Sequence, residues 1–122
     1  MMAMDEPYAL VLDGQPSELI ELPVEWILDD APYLGRTGAL PSAEAVFKTY
    51  REEFDYAHQQ QDSGYYMLTV HPRVIGHRSA MTHLDALITY IKSKPGVWFA
   101  TAEQIANHVK KVAASTARQP KD

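Results

Sequence analysis

A chain of 122 residues, 46% hydrophobic and 22% charged, suits one compact unit with its own core and is too well mixed to be disordered or fibrous. Its formal net charge of −5 and the lack of a Lys/Arg stripe argue against nucleic acid as a partner. With no cysteine, disulfides, zinc ribbons and thiol nucleophiles are excluded.

Residues 1–7 have neither the positive region nor the long apolar region of a signal peptide. No window approaches the roughly 18 apolar residues of a membrane span. The expectation is a cytoplasmic protein that meets no membrane. The one basic cluster, Lys110-Lys111 with Arg118 and Lys121, reads as a solvated helix end and tail.

In chain order, residues 8–12 and 18–22 are short β-rich runs around Asp13-Gly14-Gln15-Pro16-Ser17, which predicts a hairpin with a five-residue loop. Pro23 interrupts the second run, which resumes as Val24-Glu25-Trp26-Ile27-Leu28. Residues 29–41, with Pro32, Gly35, Gly38 and Pro41, read as loop. Ser42 is a good N-cap, with Glu44 favouring the helix dipole. Val46, Phe47, Tyr50, Phe54 and Ala57 then form one apolar stripe of a helix of about five turns, ending in a polar run that stops at Gly64.

Residues 65–70 form a continuous apolar, aromatic and β-branched run, the pattern of a strand covered on both faces, and His71-Pro72 ends it. Ser79 is the expected cap of the next helix, with Met81, Leu84, Leu87, Ile88 and Ile91 as its stripe and Lys94-Pro95-Gly96 as its break. Val97-Trp98-Phe99 reads as a short buried strand. Thr101 and Gln104 make a capping box for a last helix with Ile105, Ala106 and Val109 on its apolar face. The regular alternation of strand and helix in the later part favours an α/β architecture with parallel strands.

In such sheets and barrels ligands bind beyond the carboxyl ends of strands. That rule singles out His71, which follows the 65–70 run, and Trp26, Asp29 and Asp30 at the end of the 24–28 segment. A histidine titrates near neutral pH and can carry a proton to a reacting group. Asp29 and Asp30 can orient that histidine or bind a polar ligand; an Asx turn opening the loop is the plain alternative. Trp26 can wall a pocket, though core packing is the commoner fate of a tryptophan. His71, His77 and His83 are six apart, out of register for helical metal ligands, so no metal site is expected within this chain. Gly76 before a helix start leaves room for an anion, with Arg78 helping, but a tight turn explains it equally well.

Met67-Leu68-Thr69-Val70-His71-Pro72-Arg73-Val74-Ile75-Gly76, followed by Val97-Trp98-Phe99-Ala100-Thr101-Ala102-Glu103-Gln104-Ile105-Ala106, resembles the end of polysaccharide-deacetylase (NodB-like) proteins. Asp5-Glu6-Pro7-Tyr8, Leu19-Ile20-Glu21-Leu22-Pro23-Val24-Glu25-Trp26 and Leu28-Asp29-Asp30 resemble the branch with cofactor-independent allantoinases and peptidoglycan deacetylase-like enzymes. The likeness spans about residues 4–110.

The resemblance implies an α/β fold, the C-terminal half of a distorted (β/α) barrel with a short N-terminal β-hairpin, over residues 1–113, with 114–122 as a polar tail. It implies hydrolysis of an acetamido or related non-peptide C–N bond. Leu68-Thr69-Val70-His71 matches the family's Leu-x-x-His, which makes His71 the general acid; Trp26, Asp29 and Asp30 fall at the substrate mouth by position. The family's catalytic aspartate and its Asp-His-His metal set have no counterpart here. A divalent metal, zinc or similar, is therefore expected only with an N-terminal half, and the lone chain is expected to be inactive. A half barrel exposes an edge and an apolar flank, so a homo-oligomer or a separate N-terminal half is the expected partner. An N-acetylated sugar or ureide-like small molecule would be the ligand. The alternative is a non-catalytic barrel remnant serving as a self-associating or binding module.

Overall fold

The computed structural model describes residues 6–35, 41–60 and 64–116. In chain order come strands β1 (Tyr8–Leu12) and β2 (Gln15–Glu21), a 3-10 turn (Trp26–Leu28), and helices α1 (Ala31–Leu34), α2 (Ala43–Gln59), α3 (Pro72–Ile75), α4 (Arg78–Lys92) and α5 (Ala102–Thr116). The chain falls into two compact units. One holds both ends of the chain, up to Pro23 and from Trp98; the other is Val24–Val97. No helix among the described residues is long and apolar enough to cross a membrane.

In the first unit β1 and β2 pair antiparallel, Tyr8 opposite Glu21 and Leu12 opposite Gln15. The turn is Asp13-Gly14 alone, with φ of +49° and +76°. Both turn residues are left-handed, as tight hairpins require, and glycine adopts that conformation without steric cost. The expected five-residue loop is thus corrected: Gln15, Pro16 and Ser17 belong to β2. The register shifts between Ala9 and Val11, and in the irregular stretch the Ser17 hydroxyl accepts from Leu19 N at 3.2 Å.

Helix α5 packs on β2. Its capping box forms as expected, Thr101 N donating to Gln104 Oε1 at 2.8 Å and Gln104 N to Thr101 Oγ1 at 3.2 Å. It runs on to Thr116, past the expected start of the tail; residues 117–122 lie outside the described ones. Residues 97–99 do not form the expected buried strand. They join no sheet ladder among the described residues, and Trp98 and Phe99 are more than half exposed. An apolar run marks a strand only where a neighbouring backbone accepts its hydrogen bonds.

In the second unit α2 and α4 pack together. Ser42 Oγ accepts from Ala45 N at 3.1 Å, which caps α2 as expected. Val46, Phe47, Tyr50 and Phe54 are buried as one stripe, joined by Leu28, Ile75, Ala80, Leu87 and Ile91. On α4 the buried face is Ala80, Leu87 and Ile91, while Met81 and Ile88 of the expected stripe are exposed. The helix also starts earlier than expected: His77 holds the cap position, and Ser79 lies inside the first turn. Tyr90 ties the pair, its hydroxyl donating to Asp55 Oδ1 at 2.7 Å.

The 24–28 segment is not a strand. It winds into the 3-10 turn, Leu28 N donating to Glu25 O at 3.0 Å, and the supposed loop after it winds into α1. What remains of parallel pairing is one bridge, Asp29 with Thr69: Thr69 N donates to Leu28 O at 2.8 Å and Asp30 N to Thr69 O at 3.2 Å. Residues 65–69 are half-buried rather than covered on both faces.

Gly64 has a different role from a helix stop, since α2 ends at Gln59. A Cβ at position 64 would stand 2.2 Å from Ala57 O, so the chain passes against the helix end where only hydrogen fits. Gly64→Ala is expected to lower stability by about 1–3 kcal/mol, the usual cost of forcing an extra carbon into a packed site, read by urea denaturation. Ser42→Ala is expected to lose about 1 kcal/mol in the same assay.

Candidate functional site: a buried Asp–His pair

The parallel bridge sets the end of one segment beside the end of the other. Asp30 is the next residue after the bridged Asp29, and His71 stands two beyond Thr69. Asp30 is fully buried, the one buried charged residue among those described. Both of its oxygens are engaged by His71. The His71 backbone N–H donates to Oδ2 at 2.9 Å, and ring Nδ1 lies 2.7 Å from Oδ1. A carboxylate only accepts, so the ring proton sits on Nδ1 and Nε2 is left for a ligand. The His71 side chain is half exposed, so Nε2 is reachable.

Asp29 behaves differently. Its Oδ1 accepts from Ala31 N at 2.8 Å, the Asx turn weighed as its plain alternative, and lies 3.8 Å from His71 Nδ1. The two carboxylates foreseen together therefore divide: Asp29 starts α1, and Asp30 serves the histidine. Trp26 is not core, being 78% exposed at the start of the 3-10 turn. No hydrogen bond or ring contact joins it to His71 among the described residues.

Two residues here were not foreseen. Tyr50, placed in the α2 stripe only as packing, donates its hydroxyl to Asp29 O at 3.1 Å. Tyr66 donates to Tyr50 O at 3.1 Å. The available signal was the residue type: a tyrosine between Phe47 and Phe54 on a buried face brings a hydroxyl that needs a partner.

The hydrogen bond that its ring donates to Asp30 holds the His71 imidazolium pKa above its ordinary 6.5, helped by the nearby charges of Asp30 and Asp29, while partial desolvation and Arg73 pull it down. Burial, with the charges of Asp30 and Asp29 nearby, pushes Tyr50 above its usual range, so its hydroxyl remains a donor throughout.

No family model matches the chain. A curated peptidoglycan deacetylase of Helicobacter pylori is 24% identical over 103 residues, covering 80% of this chain and 35% of its own length. A crystal structure described as a polysaccharide deacetylase from Mycobacterium smegmatis matches 97% of this chain at TM-score 0.74 and 28% identity, over 41% of that protein. Another so described, from Pseudomonas aeruginosa PAO1, matches 88% at TM-score 0.74 and 25% identity, over 36% of its length. In sequence and fold the chain is similar to polysaccharide deacetylases of the NodB-like type. Its fold is the C-terminal part of that distorted (β/α) barrel, and it spans little more than a third of the length of these relatives.

A metal of the kind polysaccharide deacetylases generally use would have to be held by the donors present. Among the described residues one group, Asp29, Asp30 and His71, has ligand atoms within 4.8 Å of one another. These donors do not fit a metal ion. Both Asp30 oxygens already accept from His71, Nδ1 carries a proton, and Asp29 Oδ1 is held by a backbone N–H. The cluster is a hydrogen-bonded acid pair.

A histidine whose folded pKa is raised adds stability that is fully present below the unfolded value of about 6.5 and is lost as pH rises through the folded one. Asp30→Asn is therefore expected to lower the His71 pKa in an NMR titration of the ring. It should also remove this decline from the stability-against-pH curve.

Proposed function

We propose that the chain supplies the acid of a deacetylase-type amide hydrolysis, His71 protonating the departing amine. The 2.7 Å contact between Nδ1 and a fully buried carboxylate carries this reading. An amine leaves a tetrahedral intermediate only if its nitrogen receives a proton. A histidine whose pKa is raised by its bond to Asp30, with Nδ1 committed to that carboxylate, delivers that proton from Nε2 and afterwards keeps one defined neutral tautomer.

The substrate class is an N-acetylated sugar, with a ureide-like small molecule as the second option within the same chemistry. The exposed Trp26 indole offers a flat surface to a sugar ring, and Asp29 offers a carboxylate beside the acid. Activation of the attacking water is assigned to a polypeptide beyond these residues, either a second copy or a separate N-terminal barrel half. The exposure of Trp26, Ile27 and Val70, on the segments that carry Asp29 and His71, supports such a partner. The same exposure suits the alternative, a barrel remnant that binds or self-associates without turnover.

The test is release of acetate from N-acetylglucosamine oligomers and peptidoglycan fragments, and ring opening of allantoin, with Zn²⁺, Co²⁺ or Mn²⁺, alongside the native mass. The chain alone is expected to be silent. With a complementary barrel half, turnover is expected and should fall about 10²–10⁴-fold in His71→Ala, the usual worth of a general acid. Turnover that survives His71→Ala would sink the assignment.

A further inference from the structure

Neither the resemblance nor the comparisons give α2 a part in the site. We infer that Tyr50 of α2 is a positioning residue for His71, acting through the peptide group that joins Asp29 to Asp30.

One peptide group joins Asp29 to Asp30. Its carbonyl oxygen, on Asp29, accepts the Tyr50 hydroxyl at 3.1 Å. Its N–H, on Asp30, donates to Thr69 O at 3.2 Å. Both polar ends of one peptide plane are fixed, so the direction in which Asp30 leaves the chain is fixed with it. The Asp30 side chain has few remaining torsions, and its two oxygens must meet the His71 backbone N–H and Nδ1 together. A small rotation of the peptide would break that double match, since hydrogen bonds weaken steeply with angle.

Tyr50 also reaches the other segment. Its own carbonyl accepts from Tyr66, on the stretch that leads to His71. One residue thus ties the segment carrying the carboxylate to the segment carrying the imidazole. The tie is stiff because Tyr50 is wholly buried, with Phe47 edge-on at 5.2 Å and Tyr33 edge-on at 6.2 Å. The hydroxyl stays protonated, since burial and the two carboxylates oppose its ionisation. Phenylalanine would fill the same space, so packing alone does not account for the oxygen at this position.

The inference rests on the proposed function only for calling His71 an acid; the geometry reads out separately. Tyr50→Phe keeps the ring and removes the hydrogen bond. In an NMR titration it is expected to shift the His71 pKa down toward 6.5 and to weaken the preference for the proton on Nδ1. Ser42→Ala, which loosens the start of α2 without touching the site, should leave both unchanged. In an Asp30→Asn background, Tyr50→Phe should add no further shift, since the carboxylate it positions is gone. Should Tyr50→Phe not fold, Tyr66→Phe, which releases the other end of the tie, is expected to move His71 in the same direction.

An unchanged titration in the folded variants would overturn the inference. So would an equal shift in Ser42→Ala, or a full shift persisting in the Asp30→Asn background. A titration that moves as expected beside a complete lack of amide hydrolysis would leave the positioning role intact and remove only the hydrolase reading.

Discussion

Removing a carboxylate wholly from water costs several kcal/mol unless its oxygens are met by donors. Asp30 is in that position, and a single residue supplies both donors, main chain and ring of His71. The local structure follows from this demand. The 65–70 segment must run beside the 28–30 segment, so the one parallel bridge lies at Asp29 and Thr69. The chain must turn away directly after each partner, which Ala31-Pro32 and Pro72 do by starting short helices. The aromatic core of α2 reaches this pair through Tyr50, whose hydroxyl donates to Asp29 O.

Asp30 is a charge kept buried so that another group, half in solvent, holds its proton. Screening by water is weak on the buried side and strong on the open one. The pair therefore combines a fixed internal field with an accessible acid. Arg73 and desolvation work against that field, but the hydrogen bond to Asp30 remains the largest influence on His71.

Much of this was legible in the chain. The α2 stripe, its Ser42 cap and the Thr101–Gln104 box follow from period and capping chemistry, both local rules. The strand-end rule singled out His71, Asp29 and Asp30, and the structure brings His71 and Asp30 into contact. Illegible parts were those decided by partners distant in sequence. The 24–28 and 97–99 runs carry apolar residues in a strand-like order, yet among the described residues neither joins a sheet ladder, and the first winds into a 3-10 turn. The α4 stripe is right at Leu84, Leu87 and Ile91 and wrong at Met81 and Ile88, because those two are as apolar as their neighbours and composition alone does not reveal which side meets α2. Which of two adjacent aspartates would be buried was equally invisible; it depends on a bridge 40 residues away, at Thr69.

The manner in which Asp30 is satisfied has an evolutionary consequence. One of its two donors is a main-chain N–H, which every residue except proline brings to position 71. Drift at 71 therefore removes the imidazole while half of the carboxylate's partnership persists. Drift at 30 strands a ring and a backbone donor together. Position 71 can therefore lose its ring contact to Asp30 and still keep its main-chain one.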